Sequence, residues 1–344
     1  MYNDIRLIFI ILLFILVIIL FKISAKLIKN RKNRLIKEKK EDILKFLYNQ
    51  AEKNQETNFE KIQLFSKLKP EKLMKIINIL LKERKIKYDK ENIKLTNDGV
   101  KEAQEIIEKH RKIEKYLFES TSVKIEEIHS IAEKEEHSNK LNIELANTYQ
   151  CIDPHGDVIK GQGVHSFSIL KLTQNLDNTN KIFKIIHIED EPREIYSKIV
   201  QLDIAPFDYI KIKEINTNSI KIITNRGQLI EIDFILAGNI FIVEEENKNE
   251  EIEILFNEIE ENFDLISTLD KLKINQKAKI LGLSFYIRGE EKRRLLELGF
   301  VRNSLVEPLY NNMLGDDPRV YKIKNTAIAL RKEQAQKIYV QKLN

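Results

Sequence analysis

The sequence predicts a multidomain α+β protein in which an N-terminal transmembrane helix leads into helical domains and then into two small β units. Three observations carry that expectation. An uninterrupted apolar run, LIFIILLFILVIILF from Leu7 to Phe21, opens the chain. Apolar residues then recur at helical spacing from Asp42 to about Tyr149, and after CIDPHGD, Cys151 to Asp157, they alternate with polar residues instead. With 344 residues, 42% of them hydrophobic, the chain is long enough for two or three small cores.

The apolar run lengthens to about 20 residues if Arg6 and Lys22 extend their charged ends to the interface, which is enough to cross a bilayer. A cleaved signal peptide also has an apolar stretch, but no small-x-small cleavage site follows. Lys26 to Lys40 holds eight Lys/Arg residues against one Glu, and such a run stays cytoplasmic. The expectation is a single-pass anchor over 5–25, a basic juxtamembrane segment over 26–40, a cell-membrane location and a body in the cytoplasm. A formal net charge of +5 is too small to name a partner. A single cysteine, Cys151, excludes an intrachain disulfide, a zinc finger and a redox dithiol.

Residues 41–99 read as a winged helix-turn-helix. Ile43, Leu44, Phe46 and Leu47 begin one helical face, and KNQETN closes it. Phe59, Ile62, Leu64, Phe65 and Leu68 mark a short helix, Lys69-Pro70 breaks it, and Leu73, Ile76, Ile77, Leu80 and Leu81 carry the next. KIKYDKENIKLTNDG then has the alternation of a two-stranded wing. Small three-helix units that do not bind DNA have the same spacing. Lys69, Lys72, Lys75, Asn78 and Lys82 are the candidate DNA contacts. Met74 and Ile79 are poor base readers, so these residues favour phosphate contact over sequence reading.

Residues 100–155 read as two or three helices. KIFKIIHI, YIKIKEI, SIKIITNRGQLIEI and IFIVEEE form a β module over 177–246, an acidic linker over 247–266 reads as a solvated helix or spacer, and a second β module fills 267–344. Two tandem modules are the simplest explanation, since Leu202 and Val243 stand 41 positions apart and Leu298 and Val340 stand 42 apart; the alternative is the general similarity of β-rich segments.

EIHSIAEKEEH, Glu127 to His137, concentrates two of the six histidines among acidic residues. On a helix, His129, Glu133, Glu136 and His137 share one face, and His110 and Glu114 stand one turn apart on the preceding helix. Two such helices can aim imidazoles and carboxylates into a shared space. Nitrogen and hard oxygen donors without thiolate suit Mn²⁺ or Fe²⁺. The alternative is a solvated charged face, which is the ordinary fate of Glu on helices. No nucleophile-base pair or phosphate loop points to an enzyme.

KHRKIEKYL, IHSIAEKEEH and DPHGDVI resemble the metal-binding and dimerisation helices of the diphtheria toxin repressor family of iron- and manganese-dependent repressors. The family's winged helix resembles Ile43 to Gly99, including LTNDG. Both β modules resemble its SH3-like FeoA domain, the second most specifically in LLELGF and RKEQAQKIYV. The resemblance implies a helical dimerisation domain, two small SH3-like β-barrels, and one metal site from His110, Glu114 and His129. It implies a second site from Asp42, Glu133, Glu136 and His137. Asp42 and Glu133 are the manganese-type residues, His129 is the iron-type residue, and Lys45 stands where the manganese pattern has a carboxylate. A gapless match extends the ligands of the first SH3-like unit to His187 and Asp190.

The expected function is a membrane-tethered, homodimeric repressor that binds double-stranded DNA under Fe²⁺ or Mn²⁺ and controls metal homeostasis. An accessory of a ferrous-iron or manganese transporter, working through the FeoA-like domains, is the alternative.

Overall fold

The structure, a computed structural model, describes residues 2–52, 55–137, 152–159, 170–174, 181–244, 250–312 and 315–343; side chains of 2–17, 311, 312, 315 and 316 lie outside the description. The chain forms two compact units, Met1–Lys109 and His110–Asn344. Cys151 and the end of the third expected helix lie outside the described residues.

The first unit contains α1 (Tyr2–Glu52), α2 (Phe59–Ser66), α3 (Pro70–Lys82), β1 (Ile86–Asp89), β2 (Asn92–Leu95) and the start of α4 (Asn97–Ser120). Asn58 caps α2 by accepting a 3.0 Å bond from the Lys61 amide. Lys67 leaves that helix in the left-handed conformation, and Pro70 starts α3 where its missing N–H costs nothing. Ile43, Leu44 and Leu47 of α1 pack with Ile62, Leu73, Ile77 and Leu80 into one core that also takes Ile86 and Ile93 of the hairpin. This is the expected helix-turn-helix and wing. Leu64, assigned to the apolar face of α2, is instead 81% exposed.

The expected anchor is corrected. Among the described residues, no helix is long and apolar enough to cross a membrane. Most of Leu7–Phe21 falls on side chains outside the description. In the described part of α1, Ile18–Phe21 give way at Lys22 to the basic run. The membrane location and the membrane contact through 5–25 are therefore withdrawn. Nor does the helix begin at Asp42: α1 runs unbroken into the winged helix. No Gly or Pro interrupts it, and Arg34–Glu38 (2.8 Å) and Lys37–Glu41 (3.5 Å) pair along its surface one turn apart.

The second unit continues through α4 and α5 (Ile125–Glu136) into two β modules. The first has β3 (Leu170–Lys171), β4 (Ile182–Ile188), α6 (Arg193–Gln201), β5 (Tyr209–Ile215), β6 (Ser219–Thr224), β7 (Leu229–Asp233), α7 (Phe234–Ala237) and β8 (Ile240–Glu244). After α8 (Glu250–Glu261), the second has β9 (Ile266–Thr268), β10 (Ala278–Leu283), α9 (Gly289–Glu297), β11 (Leu305–Asn312), β12 (Gly315–Ile323), β13 (Thr326–Leu330), α10 (Lys332–Ala335) and β14 (Ile338–Lys342). The sheet orders are β3-β8-β4-β5-β6-β7 and β9-β14-β10-β11-β12-β13, one topology used twice. Alternation builds each core: Phe183, Ile185, Ile210, Ile212, Ile220 and Ile222 fill the first, and Ala278, Ile280, Val306, Tyr321 and Ile323 the second.

Ile185 pairs with Ile242 just before a bulge, and Ile280 pairs with Val340 just before another. The repeat thus sets Val340 beside Ile242 and not Val243, because the buried faces dictate register. The acidic linker is a helix, as expected, but not a fully solvated one. Leu255, Phe256 and Ile259 of α8 are buried against Ile223 and Ile266.

Candidate metal centre

Ile113 and Leu117 of α4 pack on Ile128 and Ala132 of α5, which fixes the two helices side by side. Their neighbouring faces carry His110, Glu114 and His129. Glu114 Oε1 is the hub, 2.9 Å from His110 Nε2 and 2.9 Å from His129 Nδ1. The two imidazole nitrogens stand 3.3 Å apart. All three residues of the first expected site are therefore brought together.

Two further groups join them. Asp190, just past β4, places Oδ2 2.6 Å from His129 Nδ1. His155 places Nε2 3.6 Å from Asp190 and 3.7 Å from Glu114. The sequence reading quoted DPHGD but gave His155 no role. Its position comes from a folded loop: Asp153 Oδ1 accepts from the amides of His155 and Asp157, each at 2.9 Å. The Ile188 amide also donates to the His155 carbonyl at 3.0 Å. Gly156 lets this loop lie against β4. Its φ is +103°, and a Cβ there would fall 2.0 Å from the Ile186 carbonyl oxygen.

The donor set fits a cation. First-row divalent ions sit about 2.1 Å from nitrogen and oxygen ligands, so neighbouring ligand atoms lie roughly 3.0–3.4 Å apart. The distances above bracket that value. His155 is 3% exposed, and neither of its ring nitrogens makes a hydrogen bond among the described residues. A buried imidazole with no such partner, aimed at two carboxylates, is costly unless something else satisfies it.

Electrostatics agree. Burial alone would push the Glu114 carboxyl up, but the charges of His110 and His155 and the hydrogen bonds of His110 and His129 hold it well below its ordinary range. Asp190 is likewise lowered to about 2, burial being outweighed by His155 and His129. Burial would lower His155, yet Asp190 and Glu114 raise it to about 9. His129 is raised for the same kind of reason, through Asp190, Glu114 and Glu133. The cluster holds positive charge strongly, and a divalent ion competes there with protons.

The other expected residues have the following surroundings. Buried Glu136 points one oxygen at His110 Nδ1 and the other at His137 Nε2, 3.5 Å away. Glu133 is half exposed and turns toward His129 Nε2, 3.6 Å away, with Glu191 3.8 Å from the same atom. Asp42 lies on α1 in the first unit, where Lys39 pairs with it at 2.8 Å. His187 faces Asp157 at 3.1 Å and Glu189 at 3.7 Å, while Arg111 holds Asp157 at 3.0 Å. On α3 and its cap, Lys69, Lys72, Lys75, Asn78 and Lys82 are all exposed.

Residues 96–160 match the family described as "iron dependent repressor, metal binding and dimerisation domain". This match spans both ligand-bearing helices. Residues 267–342 match the FeoA domain. No curated protein matches the chain. Among solved structures, a manganese-dependent transcriptional repressor in complex with manganese aligns with a TM-score of 0.50 and 17% identity, covering 59% of this chain and 99% of that one. The manganese regulator SloR gives 0.46 and 22% identity, covering 60% and 98%. IdeR of T. acidophilum gives 0.47 and 21% identity, covering 60% and 97%. At 17% identity the likeness to the first of these is one of fold.

Proposed function

We propose that the chain is a metal-dependent, DNA-binding transcriptional repressor that controls metal homeostasis, with Fe²⁺ or Mn²⁺ as cofactor. One observation carries this: His110, Glu114 and His129, and Glu114, His155 and Asp190, form two closely spaced donor groups that share Glu114 and draw on four segments. The repressor-type domain match and the manganese-dependent neighbour of the same fold support it. So does the donor chemistry, nitrogen and oxygen without thiolate. The reading is regulatory and not enzymatic, as in the metal-dependent repressors to which the chain is homologous.

His110 and Glu114 hold α4, His129 holds α5, and His155 and Asp190 hold the loop and the first SH3-like module. In coordinating one cation, these residues draw four segments into a single arrangement. In a dimer, such preorganisation sets whether two copies of α3 reach successive major grooves, about 34 Å apart. Moving the population from mostly incompetent to mostly competent takes about 5.5 kcal/mol of differential binding. The exposed lysines of α3 supply phosphate contacts. Asp42, Glu133, Glu136 and His137 are proposed, on the resemblance, as a second ligand set.

The test is retention of genomic DNA by the full chain titrated with Mn²⁺ or Fe²⁺, for wild type and Glu114→Ala. Metal-dependent retention by wild type, lost in Glu114→Ala, is expected. No retention with either metal overturns DNA binding, and retention indifferent to metal and to the substitution overturns metal control.

A further inference from the structure

The second SH3-like module rests on the turn that joins the two ligand-bearing helices. Between β10 and α9, the Arg288 guanidinium donates to the Val123 carbonyl and faces the Phe118 carbonyl oxygen at 3.5 Å. It also lies over the Phe118 ring, 5.4 Å from its centroid, and Phe285 stacks on that ring at 5.1 Å. Gly289 has a φ of +57°, and a Cβ there would approach the Glu119 carbonyl oxygen to 3.0 Å, so the module passes close to the end of α4.

Phe118 carries one of the last carbonyls of α4, which has no partner within the helix. Val123 belongs to the connector that precedes α5. A single planar guanidinium, with donors fixed in a fork, thus spans the end of one helix and the approach to the other. The ligands are one helical turn away on either side: Glu114 precedes Phe118 on α4, and His129 follows Ile125 on α5. The 2.9 Å separation of Glu114 Oε1 from His129 Nδ1 depends on how this turn spaces the helices.

The module is itself held firmly. The Tyr286 hydroxyl donates to the Ile204 carbonyl at 2.6 Å, and the Tyr339 hydroxyl donates to Asp203 Oδ2 at 2.6 Å. Gln228 donates to the Tyr339 oxygen at 2.8 Å, and the Ser284 hydroxyl also meets Asp203. These bonds tie the second module to the first, which supplies Asp190.

We propose that the second SH3-like module is a positioning clamp for the metal centre, acting through Arg288 on the α4–α5 turn. Arg288 touches no ligand atom, so it is a positioning residue. The proposal rests on the metal-binding reading above.

The full chain is titrated with Mn²⁺ alone, following affinity and the electron paramagnetic resonance spectrum of the bound ion, at a temperature where every variant is folded. Arg288→Ala and Gly289→Ala probe the clamp by different routes. Val306→Ala, in the core of the same module and away from the turn, controls for lost stability. The clamp predicts an affinity loss of about tenfold in both clamp variants, as when a partner that orients a metal ligand is removed. It also predicts a changed spectrum of the bound ion, with Val306→Ala near wild type. Wild-type affinity and spectrum in both clamp variants, or an equal loss in Val306→Ala, overturns the clamp and leaves metal binding standing. A wild type that binds no Mn²⁺ overturns the metal-binding reading and the clamp together.

Discussion

The two SH3-like modules share one strand order and a bulge at the same place, yet they do different things to the same helix pair. Asp190 stands five residues beyond Ile185, the strand residue before the first bulge, and Phe285 stands five beyond Ile280, before the second. At matched positions, one module offers a carboxylate to His129 and the other an aromatic ring to Phe118. The first paired residue past the bulge is His187 in one and Gly282 in the other. Topology sets where the connector after the strand arrives, and a single residue sets what it contributes.

The largest effect comes from breaking a buried ion pair inside the first module. Arg226 is buried and bidentate to Asp208, with one bond of 2.8 Å, and also reaches the Asp203 carbonyl. Arg226→Ala leaves a buried carboxylate without its cation and should lower unfolding stability by about 3–5 kcal/mol, read as a shift in the urea midpoint. An unmoved midpoint would mean that the module does not depend on this pair.

Next comes the comparison itself. Asp190→Ala should weaken Mn²⁺ binding by at least about tenfold, the low end for even an outer partner of a metal ligand. Phe285→Ala removes ring stacking worth about 0.5–1.5 kcal/mol and should cost less affinity. A reversed order in calorimetric titration would break the division of labour between the modules.

The pH response tests the first module's side of the comparison. Burial would lower His155, but Asp190 and Glu114 raise it to about 9. A raised imidazole keeps its proton below that value, and coordination requires its loss, so Mn²⁺ affinity should rise with pH across about 6 to 8, with proton release. Calorimetry in buffers of different ionisation enthalpy reads the protons directly. In His155→Gln the slope should flatten, and an unchanged slope would assign the protons elsewhere.

The helical parts were legible because burial imposes a period. Ile62, Leu73 and Ile77, and the pairing of His110 and Glu114 with His129, follow from residues sharing a helix face. His155 left no such trace, since a ligand on a turn has no period, and only the fold of Asp153 to Asp157 against β4 delivers it. Asp190 was reached through family resemblance and not through spacing. Glu133 follows the same face argument: its side chain reaches back one turn to His129, which shares its face. In α1, the change from apolar to basic composition looked like a boundary, but composition does not end a helix. Gly or Pro does, and neither is present between Leu7 and Asp42.

Glu136, a member of the second proposed ligand set, links it to the first by contacting His110. One of its oxygens meets His110 at Nδ1, with Nε2 turned to Glu114 in the inner cluster, while the other addresses His137. A carboxylate engaged on both sides cannot answer one occupant without altering its terms with the other. Ions at the two sets would therefore not load independently. By thermodynamic reciprocity, any factor by which the first changes the affinity of the second is returned in full, so the protein would respond to metal as a two-input device.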